Sequence, residues 1–549
     1  MITKQSQKKI TISFPGVQEL ILFYYAFKAT FNYDQDVMRI ISGKDAVRQS
    51  LPSILHDESQ YFSGVPQKVF FPENCKDLQS ILKEANNQSA PVVFIGAQTG
   101  TTGGAVPGED CIAVCFSSMN RIISVNWNGT TPVLQCEPGV TLLSIKEFLE
   151  SPGNWPYQVE GADSIRENRY IYPPDPTEAT AQLGGTVATN ASGARSFRFG
   201  PTRNFVKSLG FVLATGEKVE ISRGEIISQN NCFKITTDQK HTLRIPSPDF
   251  AMPDTKNASG YYSSPSMDLI DLLTGSEGTL AAFYQIGISL IPEFQIISGM
   301  SFFDNSESVF DFADFLRRQS QVISIEYFDP NSLSLVRDNR ERISETFPDY
   351  PDGKTCAVFW EFMESHPQSF ESQYDYWERI LFQCGSSFEH TWSGYDPSER
   401  ERLRKFRHII PELVNSLIAR YKIGSPPIRK VGTDTAVPPE IFRDVYSQYL
   451  SIIEKESLFY TSFGHLGDYH LHINIIPSNT GEMDRALEIY REIMEVTIRN
   501  RGTISAEHGI GKIKKEYFHR MYDEKAINQM KAIKTAFDPK GLLNYGNLF

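Results

Sequence analysis

The chain has 549 residues, 40% of them hydrophobic, 22% charged and 12% aromatic, and a formal net charge of −12. That length exceeds what one hydrophobic core normally supports, so two or more domains are expected. The acidic balance, with no basic stripe, excludes nucleic acid as a partner, but an anionic substrate stays open because a pocket's local charge decides that.

In chain order, residues 1–65 read as an N-terminal extension of helices and loops. Within it Val17–Phe31 is apolar-rich, but Glu19 and Lys28 interrupt the run, which is too short to span a bilayer. It is expected to be a buried or surface amphipathic helix. From Lys68 the pattern is strand–helix–strand: KVFFP, the amphipathic DLQSILKEA, then PVVFIG, an apolar run that stops at glycine as a buried strand does before a phosphate loop. Short β-type runs follow in CIAVCF, RIISVNW, PVLQCEPG and SLGFVLATGEKVEI. Residues 224–268 are polar and rich in Ser, Asn and Pro, and are expected to be loops. DLLTGSEGTLAAFYQIGISLIP then returns to strand.

A second region, 297–500, alternates strand-like SGMSFF, VISIEYF, CAVFWEF and LHINIIP with helix-like SVFDFADFLRRQ, YDYWERILFQ, PEIFRDVYSQYLSIIEK and RALEIYREIMEVTIRN. The tail DEKAINQMKAIKTAF is an amphipathic helix opening on aspartate and stopping before Asp538-Pro539. The whole is an α+β chain divided as 1–65, 66–296, 297–500 and 501–549. The seven cysteines are scattered with no Cys-x-x-Cys pair. A disulfide framework or cysteine-bound iron–sulfur cluster is therefore not expected, and a reducing compartment fits.

Two kinds of motif carry chemistry. His465, His470 and His472 fall within GHLGDYHLH, and Glu507-His508 follows some way on, so that four of the ten histidines lie between 465 and 508. Neutral imidazole and carboxylate are the usual ligands of a divalent metal with an open position, and a histidine left over beside them is a proton acceptor near neutral pH. His470 and His472, two apart on a strand, share a face. The second kind is glycine-rich. Gly96, Ala97, Gln98, Thr99, Gly100, Thr101, Thr102, Gly103 and Gly104 follow a strand, where converging backbone N–H groups suit a diphosphate. Pro138-Gly139 comes next. The block from Pro174 and Asp175 leads into Gly184, Gly185, Thr186, Ala188, Thr189, Asn190, Ser192 and Gly193, and Glu277-Gly278 opens a later strand.

These ordered motifs, with DPKGLLN at 538–544, resemble the flavoprotein superfamily that includes vanillyl-alcohol oxidase, in particular its D-lactate, glycolate and D-2-hydroxyglutarate dehydrogenase branch. The likeness runs from about residue 66 to Phe549. It implies a two-part, PCMH-type FAD-binding domain, a cap domain with an antiparallel sheet and helices, and a C-terminal segment returning to the first domain. It implies that FAD is bound by the glycine-rich residues above together with Asn544. The first loop lacks the histidine that attaches covalent flavin, so the FAD is expected to be dissociable. It also implies that His465, His472 and Glu507 hold a divalent metal, zinc or manganese, and that His508 is the base. Arg407, whose planar fork suits a carboxylate, is implied to grip the substrate, with Lys430 near a second anion position and His465 and His508 also facing the substrate. Tyr469-His470 stands where the family reads Gly-Asn, which leaves the role of His470 open.

The expected reaction is FAD-dependent oxidation of a D-2-hydroxy acid. D-lactate is favoured because Pro411 replaces a threonine-like position; D-2-hydroxyglutarate, glycolate and, more distantly, non-redox alkyl transfer are the alternatives. Electrons leave through an external acceptor such as a quinone, a cytochrome or an electron-transfer flavoprotein. The location expected is cytoplasmic, with peripheral attachment to the inner membrane face and a homodimer left open.

Overall fold

The computed structural model describes residues 38–343, 347, 349–364, 373–425 and 428–549. The expected N-terminal helix at Val17–Phe31 lies outside them. Three strands, Lys68–Phe71, Ile112–Cys115 and Val92–Ile95, run parallel with Ile112–Cys115 in the middle, and Arg39–Ser42 adds a fourth beside Lys68–Phe71, so the 1–65 extension is not helix and loop alone. Parallel neighbours need a crossover, which the helix Cys75–Gln88 supplies; Asn74 caps it by accepting from the N–H groups of Lys76 and Asp77.

The apolar runs that follow form a five-stranded antiparallel sheet in the order Ile122–Asn128, Thr131–Cys136, Ala282–Ser289, Val206–Val212, Lys218–Ser222. One expectation fails here. Residues 224–268 are not all loop, because Cys232–Thr236 and Thr242–Pro246 pair as an antiparallel hairpin. Phe233, Ile235 and Ile245 are buried while Lys234 faces out, so the hairpin needs only three apolar residues and its strand signal sinks in a polar segment.

The second region builds a seven-stranded antiparallel sheet: Thr391–Gly394, Gln295–Phe303, Cys356–Glu364, Val322–Phe328, Tyr460–Gly464, His472–Ile475, Val431–Gly432. Successive side chains point to opposite faces, and both faces are covered. Phe303, Tyr327 and Trp360 join one core with Phe312 and Trp377; Phe302, Phe328 and Phe359 join another with Phe406 and Ile410. Burial on both sides explains why these strands read as near-continuous apolar runs.

The last helix, Glu524–Phe537, starts as expected, with Asp523 accepting from the N–H of Ala526. Beyond it the chain returns to the parallel sheet, where Val92 N donates to Leu542 O at 2.8 Å. Among the described residues no helix is long and apolar enough to cross a membrane.

Candidate functional site: a flavin-sized cavity joined to a histidine cluster

A cavity of about 350 Å³ lies where the glycine-rich stretches meet. Residues 96–102 and Gly104 line it, as do Pro138, Gly184, Gly185, Thr186, Ala188, Thr189, Ser192, Glu277, Gly278 and Asn544. The remaining predicted residues stand behind the wall. Gly103 N donates to Asp57 Oδ2 at 2.7 Å and Gly139 N to Met119 O at 2.7 Å. Gly193 backs onto the carbonyl of Asp175, next to Pro174, and Asn190 caps the helix Leu183–Thr189 and accepts from Arg203 N at 3.0 Å.

The wall fits a planar, heteroatom-rich group. A Cβ added at Gly185 meets no protein atom within 4 Å, because this glycine opens on the cavity. Two buried acceptors in the lining, Gln98 Oε1 and Gln182 Oε1, have no hydrogen-bond partner. Buried polar atoms are rarely left unpaired, so both await donors from a ligand. Gln182 opens the second glycine-rich stretch but, like Asn547, was not among the predicted cofactor-binding residues.

Glu507 and His508 also line this cavity, and they lead into the histidine cluster. The cluster is built at one end of the seven-stranded sheet. His465 follows the strand Tyr460–Gly464 and His472 opens the next, with Phe463 opposite His472 and Gly464 opposite Tyr327. Gly464 has φ +127°, and a Cβ there would come within 3.0 Å of His472 Cδ2. Only glycine lets the ring lie so close to the turn.

His465 Nε2 lies 3.2 Å and His472 Nε2 3.8 Å from Glu507 Oε2. One ligand atom from each of His465, His470, His472 and Glu507 falls within 4.8 Å of the others. His465 Nδ1 pairs with Glu326 at 2.7 Å. Burial disfavours charge on His465, but Glu326 and Glu507 outweigh it and raise its pKa to about 9. Burial likewise opposes the anion at Glu507, yet His465 and Lys256 hold its pKa well below the usual carboxylate range. His472 is pushed well down by burial and by its histidine neighbours. Imidazoles around an ionised carboxylate are a donor set that zinc or manganese takes once His465 gives up its proton.

Asp434, His472 and His508 form a second group of similar span. Asp434 is already saturated at Oδ2. Its Oδ2 accepts from Lys514 Nζ at 2.7 Å, Ser505 Oγ at 2.6 Å and His508 N at 3.0 Å, and its Oδ1 accepts from Glu507 N at 3.1 Å. It therefore anchors the Glu507–His508 turn instead of offering a lone pair to a cation. His508 Nδ1 stands 3.3 Å from Asp434 Oδ2, and burial lowers the pKa of this imidazole, Asp434 only partly offsetting it.

Arg407, on the helix Pro397–Gly424, does not line the flavin cavity. It is nearly buried, 3.7 Å from Asp175 Oδ2, and close enough to Glu326 to stabilise that carboxylate. Lys430 is exposed and belongs to neither the cavity wall nor the cluster. Glu326, Asp434, Lys256 and Lys514 were all missed in the sequence, because a lone acid or lysine carries no signal when its partner lies 70 to 250 residues away.

The chain matches the FAD binding domain over residues 66–222 and the C-terminal domain of FAD linked oxidases over residues 294–548. D-2-hydroxyglutarate dehydrogenase of Stutzerimonas stutzeri is 25% identical over 513 residues, covering 91% of this chain and 94% of that protein. The glycolate oxidase subunit GlcD of Bacillus subtilis is 24% identical, covering 90% and 91%. D-lactate dehydrogenase of Archaeoglobus fulgidus is 25% identical, covering 87% and 90%. A solved structure of alkyldihydroxyacetonephosphate synthase superposes with a TM-score of 0.61 over 98% of this chain and 86% of that one at 13% identity, a likeness of fold. With both family domains in order along the chain, and with a cavity built for the flavin where they meet, the chain belongs to the FAD-linked oxidases and is an oxidoreductase.

Proposed function

We propose that this chain oxidises a D-2-hydroxy acid, D-lactate by preference, to the 2-oxo acid, and passes the electrons to an external acceptor. The observation that carries the reading is the Glu507–His508 turn, which faces the flavin cavity on one side and the histidine cluster on the other. When bound, FAD supplies the hydride acceptor, and a divalent metal supplies Lewis-acid polarisation of the substrate oxygens. FAD is held without a covalent bond by the 66–296 domain. His465, His472 and Glu507 hold the metal under the 297–500 domain, while residues 501–549 close the site.

His508 takes the hydroxyl proton. Its lowered pKa keeps the ring neutral near pH 7, and with Nδ1 turned to Asp434, Nε2 is the atom left to accept. Arg407 leaves Asp175 to grip the carboxylate, as its guanidinium fork suits. Pro411 in place of a threonine-like position supports a monocarboxylate, since it offers a second carboxylate no hydroxyl.

Anaerobic mixing of the purified flavoprotein with D- and L-2-hydroxy acids tests the reading. Bleaching of the flavin by D-lactate ahead of D-2-hydroxyglutarate and glycolate is expected; bleaching by none of them points to alkyl transfer. His508→Ala should lower turnover by about 10²–10⁴ with the flavin spectrum unchanged, and full turnover in that variant would remove the residue from the chemistry.

A further inference from the structure

We propose that His470 is a third histidine ligand of the metal centre, so that this chain holds its divalent cation with His465, His470, His472 and Glu507. The inference rests on the reading of the cluster as a metal site and goes beyond the two histidines and one glutamate that the family resemblance implies.

His470 is fully buried, at 0% exposure, and neither ring nitrogen has a hydrogen-bond partner. A structural histidine in an interior position donates from one nitrogen and accepts at the other, because an unpaired buried polar group bears its full desolvation penalty. His470 does neither. Its ring centroid lies 4.5 Å from that of His472 and 5.6 Å from that of His465. A ligand nitrogen of His470 falls within 4.8 Å of those of both neighbours and of a Glu507 oxygen. Bonds of ~2.0 Å in a tetrahedral site bring ligand atoms to about 3.3 Å of each other, so the four atoms need close by no more than about 1.5 Å onto a cation.

The backbone holds the ring there. His470 N donates to His465 O at 3.2 Å, and His470 bridges to Ala436 on the other side. The residue before it, Tyr469, has φ +53°, a left-handed conformation that a bulky side chain disfavours. Its ring is clamped under the Arg317 guanidinium, 3.8 Å from the ring centre. This clamp keeps the turn that sends His470 inward. Asp434 Oδ1 lies 3.2 Å from His470 Nε2 without making a hydrogen bond. That is the neighbour through which a carboxylate orients a ligating imidazole by its other nitrogen.

The test compares the flavoprotein with its His470→Asn variant, both stripped by chelation and checked for an unchanged flavin spectrum. Each is titrated with Co²⁺, then with Zn²⁺ in competition. We expect one Co²⁺ per chain, bound at least tenfold more weakly by the variant and with shifted d–d bands. Equal affinity and identical bands would overturn the His470 assignment while leaving the metal site standing. Failure of the unaltered protein to bind either ion would overturn the metal site itself. X-ray absorption on the unaltered zinc-loaded protein decides the matter without any variant: three imidazoles support the assignment and two defeat it.

Discussion

Glu507 has two carboxylate oxygens, and its surroundings treat them differently. Oε1 accepts from Ser192 Oγ at 2.8 Å and from the Lys256 ammonium, which also binds Asp468 at 3.0 Å. Oε2 is the oxygen turned to His465 and His472. Lys256 is buried, and although burial disfavours its charge, Asp468 and Glu507 together raise its pKa. The arrangement leaves Glu507 one oxygen, Oε2, to offer a cation. Lys256→Met should therefore weaken divalent-metal binding about 10–100-fold, as loss of an outer partner of a ligand does. Co²⁺ titration of the stripped flavoprotein reads this directly, and undiminished affinity would mean that Ser192 alone orients the carboxylate. At this scale the sequence was half legible. His465 and His472 stand out because histidines are few and clustered, Glu507 because it adjoins His508, and residues 96–104 because their glycines are clustered. Lys256 sits in a Ser/Asn/Pro-rich stretch 251 residues before its partner, where spacing says nothing.

At the scale of elements, four strands of the larger sheet, Gln295–Phe303, Val322–Phe328, Cys356–Glu364 and His472–Ile475, were readable because both faces are buried, and the last helix was readable from its Asp523 cap. Asp329 shows what such a reading cannot reach. It caps the helix Pro330–Asp338 by accepting from Ser332 N, an ordinary N-terminal signal. The fold buries it, leaves Oδ2 without a partner, and burial pushes its pKa up to about 6. A carboxyl raised from its unfolded value near 4 contributes its stability below that value and loses it as pH rises through about 6. Above that, the native state carries a penalty of ~3 kcal/mol for holding the anion. Asparagine keeps the capping oxygen and removes the charge. Asp329→Asn should thus be more stable than the unaltered protein at pH 8, with the difference vanishing toward pH 4. Denaturant unfolding across that range checks it, and a gap independent of pH would show that Asp329 stays ionised throughout.

Over the whole molecule, the last fifty residues join what the chain order separates. The turn after His508 donates from Ile510 N and Gly511 N to the buried Glu277, each at 2.7 Å, and Lys512 N donates to Thr102 O at 3.0 Å. Further on, Asn544 sits at φ +42°; its Oδ1 accepts from Phe94 N at 2.8 Å and its Nδ2 donates to Glu277 O at 2.6 Å. One side chain thus ties the strand before the first glycine loop to the Glu277-Gly278 turn across the flavin cavity. The motif at 538–544 was visible in the sequence, but its purpose was not, since it lies 450 positions from its partner. Because the cavity wall is assembled from distant segments, ligand binding there stabilises the whole fold, by about 2.7 kcal/mol at a hundredfold excess of FAD over its Kd. Asn544→Ala leaves Phe94 N unpaired, at about 1–3 kcal/mol, leaves Glu277 O only the long bond from Asn547 Nδ2 at 3.5 Å, and loosens the cavity wall. The variant should melt lower than the unaltered protein, and the rise in Tm on adding FAD should shrink. A lower Tm with the same FAD-induced rise would mean that Asn544 supports the fold without shaping the cavity.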